Sequence, residues 1–178
     1  MSGAVAGRAT GLLALAALTW SVATNGPAPP AGGLLGVLHL VDLVFHEAGH
    51  VIFGVFGRFI GVLGGSLMQV LVPFACTVAF ATRRQPASAA TTLVWTGQSL
   101  ADVAVYVADG NAMALPLLAE GLLHDWNYLL GTLGWLDHAV RLGRLTFALG
   151  VVTMASGLVV LALDLWATCY PATVAQDS

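Results

Sequence analysis

The chain has 178 residues, of which 58% are hydrophobic and only 8% are charged. A soluble domain carries roughly 25% charged residues, so this composition excludes an ordinary soluble protein and indicates a membrane protein. The net charge of −3 and six dispersed basic residues, all of them arginine, argue against a nucleic-acid partner. We expect one integral membrane domain over residues 1–178, with room for about five spans of roughly 20 residues each.

The first apolar run covers residues 9–24 and follows a lone Arg8. A basic start before a short apolar run is also the pattern of a cleavable signal peptide. We interpret it as a short first transmembrane helix, which ends at the Pro-rich run 26–30.

The second predicted span, 33–57, contains the sequence His46-Glu47-Ala48-Gly49-His50. Histidines four residues apart project from one face of a helix and can share one metal ion, and imidazole nitrogens suit Zn²⁺. Glu47 is then placed to act as a general base on water, as in zinc peptidases. The competing interpretation is that the histidines are satisfied by polar neighbours, or bind a haem or a structural metal.

Two further ionisable residues, His39 and Asp42, share the helical face of His46 and His50. Such a stripe is costly in lipid, so it should face protein or a water-filled cavity. Because they lie one to two turns from His46, we predict that His39 and Asp42 orient the ligands or line a pathway, rather than bind the metal.

The third predicted span, 59–82, is rich in small residues that allow close helix packing. Its polar side chains Ser66 and Gln69 suit either interhelical hydrogen bonds or a role toward a substrate, and both readings stay open. The fourth predicted span, 88–108, has a second polar stripe, although an amphipathic surface helix is the alternative. The stripe comprises Trp95, Gln98, Asp102 and Tyr106, with Asp109 just past its end.

The segment 110–143 is too polar to span as a unit, and its aromatic residues Trp126, Tyr128 and Trp135 suit the water–lipid boundary. We predict a loop and a short interfacial helix there, followed by a fifth span at 145–167. The fold class is therefore an all-α polytopic membrane bundle of about five transmembrane helices.

Antiparallel threading should bring polar groups from several segments to one membrane face, where a catalytic zinc needs a third protein ligand. Asp109 and His124 are the leading candidates for this ligand, and Asp102 and Asp125 are also possible. The remaining polar residues would support the ligands. This predicted supporting set is Asp102, Asp42, His39, Gln98 and Asp125.

An H-E-x-x-H motif inside a predicted transmembrane helix, followed by further spans, resembles the site-2 protease class of intramembrane zinc metallopeptidases. In that class the third ligand is an aspartate in an Asn-Pro-Asp-Gly or similar motif. Here Asp109-Gly110 matches the last two residues, and Val107-Ala108 stands where Asn-Pro would be expected. The resemblance, which covers spans two to four, implies a divergent zinc-dependent hydrolase that cuts peptides of a membrane protein at or within the bilayer.

A different class of function is also open, namely a non-catalytic accessory subunit of a larger respiratory or photosynthetic membrane complex. Its histidines would hold a structural metal or a pigment. Either function places the chain in a membrane, and we expect the bacterial inner (cytoplasmic) membrane. With a cytoplasmic amino terminus, the positive-inside rule predicts that Arg8, Arg58, Arg141 and Arg144 lie on the cytoplasmic side, with Arg83 and Arg84 opposite.

Overall fold

A computed structural model describes residues 2–26, 32–115 and 123–170. All regular structure within these ranges is helical, which confirms the predicted fold class; residues 27–30 of the Pro-rich linker lie outside them. The α-helices are α1 Gly3–Asn25, α2 Gly33–Phe53, α3 Arg58–Thr82, α4 Pro86–Asp109, α5 Asp125–Leu133 and α6 Ala139–Cys169.

Four of these helices are long and apolar enough to cross a membrane, as expected for an integral membrane protein. They are α1, α2 with the 3₁₀ turn that follows it (Gly33–Phe56), α3, and α6 with the turn before it (Leu136–Cys169). At 24 residues, α4 is as long as the others, but its more polar composition leaves it out of this set. Within the described ranges four helices thus meet this description, and α4, the fifth long helix, coincides with the predicted fourth span.

The position of α4 explains its polarity. It packs against α3 on one side and α6 on the other, and residues such as Val94, Ser99 and Ala104 are fully buried. Polar side chains on a helix that is covered by protein do not meet lipid, so the helix need not be uniformly apolar.

Glycines on α6 allow the close contact between α4 and α6. Gly143, Gly150 and Gly157 are seven residues apart, or about two helical turns, so they lie on one face. A Cβ at Gly150 would lie 2.6 Å from the carbonyl oxygen of Gly97 and 2.9 Å from the backbone nitrogen of Ala101. The two backbones are thus in direct contact, in the manner of small-residue interfaces between membrane helices.

An ion pair fixes the direction of α1 in the bundle. Because Gly157 lies beside Ala90, the far end of α6 packs near the start of α4. Further along α6, the Asp164 carboxylate lies 2.6 Å from Nε of Arg8. The start of α1 is therefore at the end of the bundle opposite Arg58. The prediction that these two arginines share one side is wrong, and the distribution of arginines no longer favours one orientation.

A pair of glycine substitutions tests the α4–α6 contact. Alanine in place of an exposed helical glycine stabilises a helix by up to about 1 kcal/mol. We expect this modest effect, or none, for Gly7→Ala on α1, where a new Cβ would meet no atom within 4 Å. Gly150→Ala should instead lower the thermal unfolding midpoint in detergent, because the helices must move apart. Equal midpoints for the two variants would contradict the packing.

Candidate metal centre

Three side chains from α2 and α5 converge on one point. His46, His50 and Asp125 each offer a ligand atom, and these atoms all lie within 4.8 Å of one another. Oδ2 of Asp125 is 2.9 Å from Nε2 of His46 and 3.1 Å from Nε2 of His50. The two imidazole rings are almost perpendicular, at 82°, with centroids 4.7 Å apart. Within the described ranges, this is the one such group of potential metal ligands.

The remaining nitrogen of each imidazole has its own partner. Nδ1–H of His50 donates to the carbonyl oxygen of Gly61 at 3.0 Å, and Nδ1–H of His46 donates to Oε1 of Gln69 at 3.3 Å. In a neutral imidazole with its proton on Nδ1, Nε2 carries a lone pair. Both lone pairs therefore face the same oxygen of Asp125. Three electron-rich atoms in this arrangement repel one another unless protons on Nε2 or a metal ion lie between them, and the donor set fits a metal ion.

A glycine on α3 leaves the space in front of the two imidazoles free. A Cβ at Gly65 would lie 2.7 Å from Nε2 of His46 and 2.7 Å from Nε2 of His50. Any other residue would occupy the place where the three ligand atoms converge. From the sequence, this glycine only indicated close helix packing, because its relation to the histidines depends on how α2 and α3 face each other.

The start of α5 holds Asp125 in place. His124 caps this helix: its Nδ1 accepts from the backbone N–H of Asn127 at 3.3 Å. Its other nitrogen, Nε2–H, donates to Oδ2 of Asp109 at 3.1 Å. His124 and Asp109 therefore bind each other and tie the start of α5 to the end of α4.

Asp109 also closes the turn after α4. Its two oxygens accept from the backbone N–H groups of Ala114 and Leu115, at 2.9 and 3.0 Å. Burial opposes ionisation of Asp109, but these donors and His124 lower its pKa. Burial likewise opposes ionisation of Asp125, whose pKa is lowered when protons on Nε2 of His46 and His50, in place of a metal, donate to it. Both aspartates are thus held as carboxylates.

Three more contacts anchor α5 to the bundle. Nε1–H of Trp126 donates to Oγ of Ser66 on α3 at 3.1 Å, which gives that serine an interhelical role. The side chain of Asn127 donates to the carbonyl oxygen of Gly110 at 2.8 Å. The Arg58 guanidinium lies over the Tyr128 ring, 4.9 Å from its centroid. These contacts all come from the first turn of the short helix, so its first residue has little freedom to move.

The structure brings Asp125 to the two histidines, and not Asp109 or His124, which the sequence favoured as third ligand. The reason is the direction of side chains at a helix start. A capping residue turns its side chain toward the first turn of its own helix, where it accepts from a backbone N–H. The side chain of the next residue projects sideways, here toward α2. A signal for this helix start was present in the pair His124-Asp125, because an acidic residue is favoured in a first helical turn.

The other predicted supporting residues form a second polar layer between α2 and α4. Nδ1–H of His39 donates to Asp102 at 2.9 Å. Oδ1 of Asp42 accepts from Nε1–H of Trp95 at 2.9 Å and from the Ser99 hydroxyl at 3.1 Å. The two stripes that the sequence indicated therefore face each other, although neither His39 nor Asp42 forms a hydrogen bond with His46 or His50.

Gln98 and Glu47 complete the set of predicted site residues. Gln98 is buried beside Asp42, and in the described part of the chain both its Oε1 and Oδ2 of Asp42 lack a hydrogen-bond donor. Glu47 is exposed and follows His46 on α2. Its side chain is accessible from outside the bundle, one helical position from a histidine of the cluster.

No protein-family model, curated protein sequence or solved structure matches the chain. The function must therefore be argued from the geometry and the donor atoms of the site.

Removal of single carboxylates tests the choice of ligand. Asp125→Ala should abolish stoichiometric zinc binding, because it deletes one of three donors. Asp109→Ala should weaken zinc binding by about 10- to 100-fold, as expected for a residue that only positions a ligand, and should still reach one zinc at saturation. Titration with zinc against a competing chelator measures both. The reverse order of effects would make Asp109 the ligand.

Gly65→Ala tests the space between the ligands. Its Cβ would lie at the convergence point, so we expect loss of zinc with retained helicity and elution volume in detergent. Gly131→Ala on α5 is the matched control, because its Cβ would make only an ordinary contact, 3.8 Å from Leu136. Elemental analysis of both purified variants gives the result, and full zinc occupancy in Gly65→Ala would show that the metal does not bind there.

Proposed function

We propose that the protein is a zinc-dependent hydrolase embedded in the bacterial inner (cytoplasmic) membrane, and that it is a peptidase acting on membrane proteins at or within the bilayer. The observation that carries this proposal is the convergence of His46, His50 and Asp125 in front of Gly65. Two histidines and a carboxylate are a ligand set of catalytic zinc sites in peptidases.

Each residue has a definite role in this reaction. His46, His50 and Asp125 would hold the zinc, which when bound supplies Lewis-acid polarisation of a peptide carbonyl and of water. Glu47 accepts a proton as the attacking water adds to the carbonyl, and delivers it to the leaving amine. Its exposed position beside His46 suits this role, since a general base must reach both water and substrate.

The three-membered ligand set among the described residues favours catalysis over a structural role. Structural zinc sites are closed by four protein ligands, whereas catalytic sites keep one position for a reactant. In the described part of the chain the cluster has three members. The side chains of His46, His50 and Asp125 retain 19%, 28% and 18% of their exposure, so the site can be reached from outside.

The position of the site suits a substrate at the membrane boundary. The two histidines lie in the last part of α2, close to the turn into α3, and α5 covers this end of the bundle. A peptide segment that leaves the bilayer here would approach the exposed Glu47. The H-E-x-x-H motif on a membrane helix, which resembles that of site-2 proteases, supports the same class of substrate.

The decisive variant is Glu47→Gln, which keeps the shape of the side chain and removes the base. We expect zinc content equal to that of the wild type and loss of hydrolysis of fluorescein-labelled casein and of labelled single-span membrane peptides in detergent. His46→Ala is the control that should lose both zinc and hydrolysis. Undiminished hydrolysis by Glu47→Gln would reject this mechanism.

If the protein is instead an accessory subunit, we expect no hydrolysis by the same preparations. A subunit of a respiratory or photosynthetic complex would co-purify stoichiometrically with that complex from its native membrane. It would show no hydrolysis with any of these substrates, with zinc or without it. That result would replace the hydrolase proposal.

A further inference from the structure

A chain of hydrogen bonds extends from the metal-binding His46 into the interior of the bundle. Nδ1–H of His46 donates to Oε1 of Gln69 on α3, and Nε2 of Gln69 donates to Oδ2 of Asp102 on α4 at 2.7 Å. Asp102 also accepts from Nδ1–H of His39 at 2.9 Å. Three helices thus contribute to one network that ends at the candidate zinc site.

The order of donors and acceptors in this network has one consistent solution. A carboxylate can only accept, so Asp102 forces the Gln69 amide to present its NH₂ group to α4. The amide oxygen must then face His46, where it can only accept. His46 is left with its proton on Nδ1 and its lone pair on Nε2, the nitrogen that faces Asp125.

Burial makes this constraint strict. Gln69 is 3% exposed and Asp102 is 8% exposed, so water cannot readily replace either partner. A reversed amide would place an NH₂ group against Nδ1–H of His46 and an oxygen against the carboxylate, and two buried polar contacts would be lost. Unpaired buried polar groups are costly, so the reversed state is disfavoured.

We propose that Gln69 and Asp102 are positioning residues for the metal: the carboxylate fixes the amide, and the amide fixes the tautomer of His46. This inference rests on the proposed function, because it assigns the bond network to zinc binding. A single carboxylate commonly accepts from the second N–H of a metal-binding histidine and fixes its tautomer. Here that role is divided between an amide and a carboxylate on different helices.

The variant Asp102→Asn tests whether this carboxylate fixes the orientation of the Gln69 amide. An asparagine can donate its NH₂ group to Gln69, which allows the Gln69 amide to turn and present NH₂ to His46. His46 must then carry its proton on Nε2, where it blocks the metal. We expect zinc affinity to fall by about 10- to 100-fold, the range for loss of a group that orients a ligand.

The double variant Gln69→Glu/Asp102→Asn should restore most of this affinity. A carboxylate at position 69 accepts both from Asn at position 102 and from Nδ1–H of His46, so the metal-binding tautomer is again enforced. A purely structural tie between α3 and α4 gives no reason for such a rescue. Gln69→Met removes the acceptor and should bind zinc as weakly as Asp102→Asn.

A control for helix packing is available on the same pair of helices. The hydroxyl of Thr77 donates to Thr92 at 3.0 Å, which also joins α3 to α4 but away from the metal site. Thr77→Val should change thermal stability at most, and leave zinc affinity at the wild-type value.

Zinc affinity of the full chain in detergent is measured by chelator competition, and the absorption spectrum of the cobalt(II) form reports the ligand geometry. Weak binding by Asp102→Asn with recovery in the double variant supports the inference. Equal affinity and an unchanged cobalt spectrum in wild type, Asp102→Asn and Gln69→Met would overturn it while the hydrolase proposal stands. Absence of zinc binding by the wild type would overturn both.

Discussion

The cost of a polar side chain in a hydrocarbon environment determines how this bundle is built. A charged group at the centre of a bilayer costs about 2.5–3.5 kcal/mol on insertion scales, so each one needs a partner or water. Here the partners come from other helices: Asp102 accepts from α2 and α3, and Asp42 accepts twice from α4. The polar contacts therefore decide which faces of α2, α3 and α4 meet.

The same requirement gives the central helix its unusual composition. α4 has protein on both sides, and its glycine contact with α6 leaves no room for lipid between them. A helix in this position can carry Gln98, Ser99 and Asp102 without exposing them to acyl chains. The outer helices α1 and α6 have no such protection, and large apolar side chains such as Trp20 and Leu145 cover their outer faces.

Sequence reasoning predicted the helical fold class and the shared face of the two histidines, because both depend on local spacing. Apolar runs set the helices, and a separation of four residues places His46 and His50 on one face whatever surrounds them. The third ligand depended instead on the direction of one side chain at the start of α5, where a shift of one residue exchanges His124 for Asp125. The role of Gly65 and the link through Gln69 depend on contacts between helices, which spacing along one helix does not reveal.

The separation of the ligands along the chain has a consequence for biosynthesis. His46 and Asp125 are 79 positions apart, and the two histidines precede the α2–α3 turn while the carboxylate follows α4. If the cluster holds zinc as proposed, a nascent chain that has inserted only α1 to α3 possesses the two imidazoles without Asp125. Tight binding of the ion would then require translation of α5 and its docking onto α3. The ion would be acquired late, by a bundle that has already assembled.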